Sequence, residues 1–284
     1  MSNRQSSNMH DSSPLEPSWA GRSVGSDDQR ADQWNDLEPA LEKEIIPRLM
    51  MAFQQPHGEL RNAPSASSPA GDLQEMVDIV LNHDVISAVN YIQGLRNGGA
   101  SLQSLYLSLI TDTARKLGDM WAEDECSFFD VTVGVSRLQQ VMLEFSHCFC
   151  SQYRQREPAE NTALIVPMPG EQHSFGQFMV VEFFRRAGWN VHASAPRSID
   201  TLELLVSQQH FDLVGLSVSG DRFVDQLSPT IDRLREASFN SELKVLIGGR
   251  SVAVRDSLVD EVGADATAGD GSAAVAAADR LVNV

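Results

Sequence analysis

Cysteine is scarce in this 284-residue chain, which contains three, Cys126, Cys148 and Cys150. Three thiols are too few for a disulfide framework and fit a reducing compartment. No apolar stretch approaches the roughly 20 residues that a membrane-spanning helix requires. The polar N-terminus also lacks the apolar segment of a signal peptide. We therefore expect a cytoplasmic protein with no membrane attachment.

Basic residues are also few compared with acidic ones. Lys and Arg number 22 against 39 Asp and Glu, which gives a formal net charge of −17 at pH 7. Non-specific affinity for nucleic acids comes from clustered Lys and Arg, so this balance argues against phosphate-backbone binding as the main activity. Direct DNA contact stays open but is not favoured, and a protein partner is the better expectation.

The composition of the N-terminal part of the chain predicts an extension, a helix and a linker before the main helical segments. Residues 1–33 are rich in Ser, Asp, Asn and Pro with few apolar residues, which predicts a disordered acidic extension. A helical region is expected over residues 34–156. Its first helix is predicted to begin near Leu37 and to be interrupted at Pro47, and the Pro-, Gly-, Ala- and Ser-rich segment 56–72 is predicted to be a linker.

Four segments between residues 72 and 156 repeat apolar residues every three or four positions, which is typical of amphipathic helices. Their starts are marked, because Asp84, Ser101 and Ser127 suit the N-cap position. Ser127 with Asp130 also resembles a capping box. Helices joined by such short connections predict an antiparallel four-helix bundle.

The pattern changes after residue 157 to short β-rich runs separated by helical segments, TALIVP, WNVHAS, LVGLSVS, KVLIGG and a weak DATAG. Strands that alternate with helices form right-handed crossovers and a parallel sheet. Residues 160–284 are therefore expected to form a Rossmann-like (flavodoxin-like) α/β domain with five parallel strands. Because such sheets bind ligands at the carboxyl ends of their strands, the candidate site lies in the loops after the first, third and fourth strands.

Three enzyme signatures are absent from these loops. A dinucleotide site requires G-x-G-x-x-G, and Gly170 with Gly176 has the wrong spacing. A phospho-receiver requires an aspartate at the end of the third strand, where this chain has serines. A hydrolase elbow requires G-x-S-x-G, which the segment 215–219 does not complete. The sequence thus gives no reason to expect these three chemistries.

What the loops do contain is a histidine with a carboxylate two residues before it and several small residues. In chain order these are Glu171-x-His173-x-x-Gly176, Ser217-x-Ser219 and Gly248-Gly249. By itself, His173 can be a metal ligand, a general base or a surface residue. Imidazole is a good donor to cobalt, and the carboxylate of Glu171 can accept the other ring N–H.

This arrangement resembles the cobalamin-binding domain family, whose motif is Asp-x-His-x-x-Gly, followed by Ser-x-Leu or a relative and by Gly-Gly at the same strand ends. The resemblance implies that His173 is the lower axial ligand of cobalt, supported by Glu171, which is one methylene longer than the usual aspartate. It implies that Gly176 lets the backbone approach the corrinoid. It also implies a slot for the nucleotide tail, formed by Ser217, Ser219, Gly248 and Gly249.

The predicted bundle also resembles a feature of this family, the helical cap that precedes the corrinoid domain in methyltransferases and light-sensing regulators. The segments LGDMW (117–121) and FFDVT (128–132) carry the resemblance. It implies that Trp121 lies over the upper face of the ring. At the next position, where the photoreceptor repressors have a histidine, this chain has Ala122, so we expect an aquo or hydroxo upper ligand.

The acidic extension, the segment EKEIIPRLMMAF, the cap and the E-x-H-x-x-G domain together most resemble the AerR/PpaA antirepressors of purple photosynthetic bacteria, over roughly residues 36–284. The resemblance implies a cobalamin-binding, light-responsive regulator, not an enzyme, that acts on a PpsR/CrtJ-type repressor of photopigment genes. Two alternatives stay open. One is a haem-binding redox sensor, since an accessible histidine also ligates iron. The other is a corrinoid methyl-carrier subunit of a methyltransferase.

Overall fold

Helices make up the first part of the described chain, and a parallel sheet with its covering helices makes up the second. The computed structural model describes residues 71–151, 161–252 and 257–282. The predicted extension 1–33, the predicted helix interrupted at Pro47, most of the linker 56–72 and the boundary near residue 157 lie outside the described residues. Within the described ranges, no helix is both long and apolar enough to cross a membrane.

The predicted bundle is present, with its caps. Its helical segments are α1 (Leu73–Asn82), α2 (Val85–Asn97), a third that runs from α3 (Leu102–Leu105) through a π-helical turn (Tyr106–Ile110) into α4 (Thr111–Ala122), and α5 (Phe128–Ser151). The side chains of Asp84 and Ser101 each accept the backbone N–H three residues further on. Ser127 and Asp130 form the capping box, since each backbone N–H donates to the other side chain. Polar side chains thus set where these helices begin.

The π-helical turn was not predicted, because apolar spacing of three and four does not distinguish it from regular α-helix. The hydroxyl of Thr111 donates to the carbonyl of Tyr106, at 2.7 Å, and so supplies that group with a partner. Tyr106 is fully buried, and its own hydroxyl donates to the carbonyl of Met142 in α5, at 3.0 Å. The turn is therefore fastened to the longest helix of the bundle.

The second part of the chain confirms the predicted Rossmann-like fold. Its elements are β1 (Thr162–Pro167), α6 (Phe175–Ala187), β2 (Asn190–Ala193), α7 (Ile199–Gln208), β3 (Leu213–Ser217), a 3-10 turn (Asp221–Phe223), α8 (Val224–Ala237), β4 (Lys244–Gly248), α9 (Leu258–Val262), β5 (Ala266–Ala268) and α10 (Gly271–Val282). All neighbouring strands are parallel, in the flavodoxin-like order β2-β1-β3-β4-β5. The order reverses between β1 and β3, and such a switch point is where open α/β sheets bind ligands.

The bundle and the sheet share apolar packing through α6. Met179 and Phe183 of this helix are buried in the same cluster as Tyr106 and Phe149 of the bundle. The rings of Phe149 and Phe183 meet edge-on, with centroids 5.1 Å apart. The other side of α6 packs, together with α10, on one face of the sheet, while α7, α8 and α9 cover the opposite face. The bundle is thus held against the sheet along one helix.

Candidate functional site

The ends of three strands form a row at the carboxyl edge of the sheet. Pro167 of β1, Ser217 of β3 and Gly248 of β4 are register partners across neighbouring strands. Apart from Trp121 in the bundle, the predicted site residues lie in this row, in the loops that follow it or at the start of α6. The fold therefore brings the three motif segments of the sequence to one edge, at the switch point.

The carboxylate of Glu171 joins two of these loops. Its side chain is only 2% exposed. One oxygen, Oε1, accepts the backbone N–H groups of Gln172, at 2.9 Å, and of His173, at 3.0 Å. The other, Oε2, accepts those of Ser219, at 3.0 Å, and Gly220, at 3.1 Å. The loop after β1 is thereby tied to the loop after β3.

Burial of Glu171 by itself would raise the pKa of the carboxyl group, because it disfavours the charged form. Hydrogen bonds from the backbone and ring of His173 and from the backbone of Ser219 act in the opposite direction. Their combined effect prevails, and the pKa of Glu171 lies below its ordinary value. Glu171 is therefore an anion at neutral pH.

The imidazole of His173 projects from its loop, with 71% of the side chain exposed. Its Nδ1 lies 2.6 Å from Oε1 of Glu171, so the predicted contact between the two side chains is present. A carboxylate can only accept, which places a proton on Nδ1, and the neutral form of the ring then has its lone pair on Nε2. Nε2 has no hydrogen-bond partner among the residues that the structure describes. This is the tautomer and orientation that suit a metal-binding histidine.

A cavity of about 720 Å³ lies between the bundle and the carboxyl edge of the sheet. Its α/β wall contains five of the predicted site residues, Gly176, Ser217, Ser219, Gly248 and Gly249. Its bundle wall is formed by the third helical segment, including Leu107, Thr111, Ala114, Arg115 and Asp119. A ligand in this cavity would touch both parts of the fold.

An added Cβ would meet different surroundings at two of the cavity glycines, Gly249 and Gly176. Gly249 has a φ of +112°, and a Cβ at this position would come 2.3 Å from the carbonyl oxygen of Val218. Backbone geometry therefore requires glycine there. At Gly176 an added Cβ would find no atom of another residue within 4 Å, outside the turns of its own helix. Packing does not require glycine at position 176, where the space belongs to the cavity.

Trp121 lies outside the cavity wall, two residues after Asp119, which is part of it. The tryptophan is 49% exposed and packs edge-on against Phe128, which is 69% exposed, with ring centroids 6.1 Å apart. The two rings form an exposed apolar pair on the bundle. The placement of Trp121 over a cofactor ring therefore stays a prediction.

A buried polar residue directly after the motif glycine was not predicted from the sequence. Gln177 is 8% exposed and lines the cavity. Its Nε2 donates to the carbonyl oxygens of Ile165 and Ser194, both at 2.9 Å, and so fastens the start of α6 to the ends of β1 and β2. An amide among the apolar residues of this helix was the available signal. Two arginines of the cavity wall, Arg115 and Arg250, were also missed.

Comparisons with known proteins agree with this architecture. No protein-family model matches the chain. By structure, the chain is similar to the monomethylamine corrinoid protein of Methanosarcina barkeri, with a TM-score of 0.60 and 17% sequence identity over 74% of this chain and 96% of that one. The two proteins share one fold. A cobalamin-binding protein from Desulfitobacterium hafniense also aligns, with a TM-score of 0.41 and 19% identity over 75% of this chain and 99% of that one.

One curated relative is similar in sequence. It is the uncharacterized 20.5 kDa protein in the bchF-crtJ intergenic region of Rhodobacter capsulatus. The two sequences are 28% identical over 161 residues, which is 57% of this chain and 83% of that protein. The relative's name thus links a sequence of this kind to a chromosomal position beside crtJ.

Proposed function

We propose that this chain binds cobalamin at the carboxyl edge of its sheet, with His173 as the lower axial ligand of cobalt. The observation that carries the proposal is the pair of Glu171 and His173. The buried carboxylate holds Nδ1, and the exposed Nε2 presents its lone pair at the switch point. Imidazole suits cobalt as a ligand, and a carboxylate partner raises its basicity.

The residues around His173 fit a corrinoid. Gly176 leaves open space at the start of α6, and the small residues at the ends of β3 and β4 line a cavity of about 720 Å³. Ser217, Ser219, Gly248 and Gly249 would hold the nucleotide tail, and the bundle would cover the upper side. Cobalamin, when bound, would be held by His173 and would supply light-sensitive ligand exchange at its cobalt. The name of the Methanosarcina protein, which has the same fold, supports this ligand class.

The loaded chain would act as a regulator and not as an enzyme, as an antirepressor of a PpsR/CrtJ-type repressor of photopigment genes. The position of the curated relative beside crtJ supports this partner. The net charge of −17 favours a protein partner over DNA. A ligand shifts such an equilibrium only if it contacts two conformations differently. A cofactor that touches both the bundle and the sheet edge meets this requirement, and couplings of about 1–3 kcal/mol are typical.

A corrinoid methyl carrier is the second candidate, and the likeness to the monomethylamine corrinoid protein favours it. It would use the same His173 and the same cavity. A haem-binding redox sensor would also use the exposed Nε2, but haem has no tail to fill the row of Ser217 and Gly248. The three candidates therefore differ in the ligand that is bound and in what the loaded protein does.

The ligand assignment is tested by titrating the purified protein with hydroxocobalamin and, separately, with hemin, while recording visible spectra. The variant is His173→Ala. His210→Ala is the matched control, because this exposed histidine lies just before β3, at the other edge of the sheet. We expect wild type and control to bind hydroxocobalamin with a shift of its visible bands that His173→Ala abolishes. Identical affinity and bands in His173→Ala would contradict the assignment, and binding of hemin alone would favour the redox sensor.

The regulatory role is tested by binding to a purified PpsR/CrtJ-type repressor, with apo and cobalamin-loaded protein, in the dark and after illumination. We expect the loaded wild type to bind more tightly than the apo protein and than His173→Ala. Equal binding by all three would count against the antirepressor. Transfer of a methyl group to the loaded chain by a partner methyltransferase would favour the carrier.

A further inference from the structure

Arg250 stands on a firmly held loop at the edge of the cavity. It follows the paired glycines that end β4 and is part of the cavity wall. The backbone N–H of Val218 donates to the carbonyl of Gly248, at 2.8 Å. The buried hydroxyl of Ser251 donates to the carbonyl of Ser219, at 2.9 Å. The chain is thus fixed on both sides of Arg250, whose side chain is exposed.

The guanidinium of Arg250 makes no ion pair or hydrogen bond within the described part of the chain, so its charge is available to a ligand. The other arginine of the cavity wall is engaged, because Arg115 pairs with Asp112 at 3.0 Å. Two carboxylates, those of Asp119 and Asp270, also line the cavity. Among the described residues of the cavity wall, Arg250 is therefore the cation whose charge is left for a ligand.

We infer that Arg250 binds the anionic group of the ligand, which for cobalamin is the phosphodiester of its nucleotide tail. The inference rests on the proposed function. The amide side chains of the corrin ring are neutral, whereas the tail contains one phosphodiester. A guanidinium forms paired N–H···O bonds with phosphate oxygens. Arg250 lies two residues after Gly248, and its neighbour Ser251 contacts Ser219. Gly248 and Ser219 are two of the residues proposed to receive that tail, so one tail would reach them and Arg250.

The test compares hydroxocobalamin with diaquocobinamide, a corrinoid that lacks the phosphate and the nucleotide, by isothermal titration. We expect Arg250→Gln to weaken hydroxocobalamin binding about tenfold, as for loss of one charged hydrogen-bonding partner, and to leave cobinamide binding unchanged. The affinity of Arg250→Lys for hydroxocobalamin should lie between those of wild type and Arg250→Gln. Raising the salt concentration should shrink the difference, because the group is exposed.

Arg280→Gln is the matched control, since it removes an exposed arginine in the last turn of α10 that is not part of the cavity wall. It should change hydroxocobalamin binding by less than about twofold, because its charge lies outside the cavity. Equal losses in the two variants, equal losses with the two corrinoids, or no loss in Arg250→Gln would each overturn the inference. Thermal unfolding midpoints should match wild type in all variants, because each removes an exposed side chain that makes no ion pair or hydrogen bond within the described residues.

Three further outcomes distinguish a failure of this inference from a failure of the function on which it rests. If wild type binds neither corrinoid, the proposed function and the inference both fail. If wild type binds both corrinoids equally and Arg250→Gln changes neither, only the inference fails. If hemin binds instead and Arg250→Gln weakens it, the anion is a haem carboxylate and the phosphodiester assignment is wrong.

Discussion

One carboxylate, that of Glu171, links His173 to Ser219. Its Oε1 accepts a hydrogen bond from Nδ1 of His173, at 2.6 Å, and its Oε2 accepts the backbone N–H of Ser219, at 3.0 Å. The orientation of the proposed ligand and the conformation of the loop after β3 therefore depend on the same buried side chain. Substitutions at position 171 can separate these two roles.

Glu171→Gln should impair both roles. The amide offers a single acceptor oxygen and places N–H groups against backbone N–H donors. We expect a loss of about 1–3 kcal/mol in the free energy of unfolding, because a buried donor is left without its partner. Urea denaturation measures this loss, and hydroxocobalamin titration measures the weaker binding. Glu242→Gln is the control, since Glu242 is exposed and should change neither quantity. Wild-type stability in Glu171→Gln would contradict this account.

Glu171→Asp should affect the two roles unequally. Aspartate is one methylene shorter, so it can stay close to His173 but no longer reaches Ser219 and Gly220. We expect a loss of about 1 kcal/mol in stability with most of the hydroxocobalamin affinity retained. The same denaturation and titration measurements apply. Loss of ligand binding with full stability, the reverse pattern, would show that the longer side chain serves the histidine instead.

The stabilisation from Glu171 should depend on pH in a defined direction. Its pKa in the folded protein lies below the ordinary value of 4.5, so the folded state favours the ionised form. The contribution of Glu171 to the free energy of unfolding is then fully present above pH 4.5 and is lost as the pH falls through the folded-state pKa. The difference in unfolding free energy between wild type and Glu171→Gln should therefore shrink as the pH falls below 4.5. A difference that grows as the pH falls below 4.5 would refute the assigned sign.

The two cavity glycines should respond in opposite ways to alanine. Gly249→Ala puts a Cβ against the carbonyl of Val218 at a positive φ, and we expect it to cost at least about 2 kcal/mol of stability. Gly176→Ala meets open space within a helix, so we expect stability to stay level or rise by about 0.5–1 kcal/mol. Its effect should appear only as weaker hydroxocobalamin binding. Thermal unfolding and titration of both variants check this, and full ligand affinity in Gly176→Ala would place the corrinoid elsewhere.

Much of the fold was predictable because its signals are local. The caps at Asp84 and Ser127 and the β-rich runs after residue 160 depend on neighbouring residues alone, and the structure has them where the sequence indicates. The carboxyl ends of parallel strands lie side by side, and this rule alone predicted that Ser217 and Gly248 would be neighbours. The residues of the loops after these strands were predicted to share one site for the same reason.

What the sequence did not indicate depends on contacts between distant segments. The π-helical turn at Tyr106–Ile110 is held by Met142, 36 residues after Tyr106. The contribution of Arg115 to the cavity depends on how the bundle packs on α6. Periodicity and motif spacing contain no information on such pairings.

The packing of Phe149 on Phe183 determines how the chain can be cut and how its bundle can move. A fragment that begins at residue 160 would leave Met179 and Phe183 facing water, so the α/β half is expected to aggregate when it is expressed without the bundle. The same contact holds the bundle along α6, whereas α4 lies across the cavity from the carboxyl edge of the sheet. A ligand in the cavity would therefore add contacts at the side of the bundle that α6 does not hold.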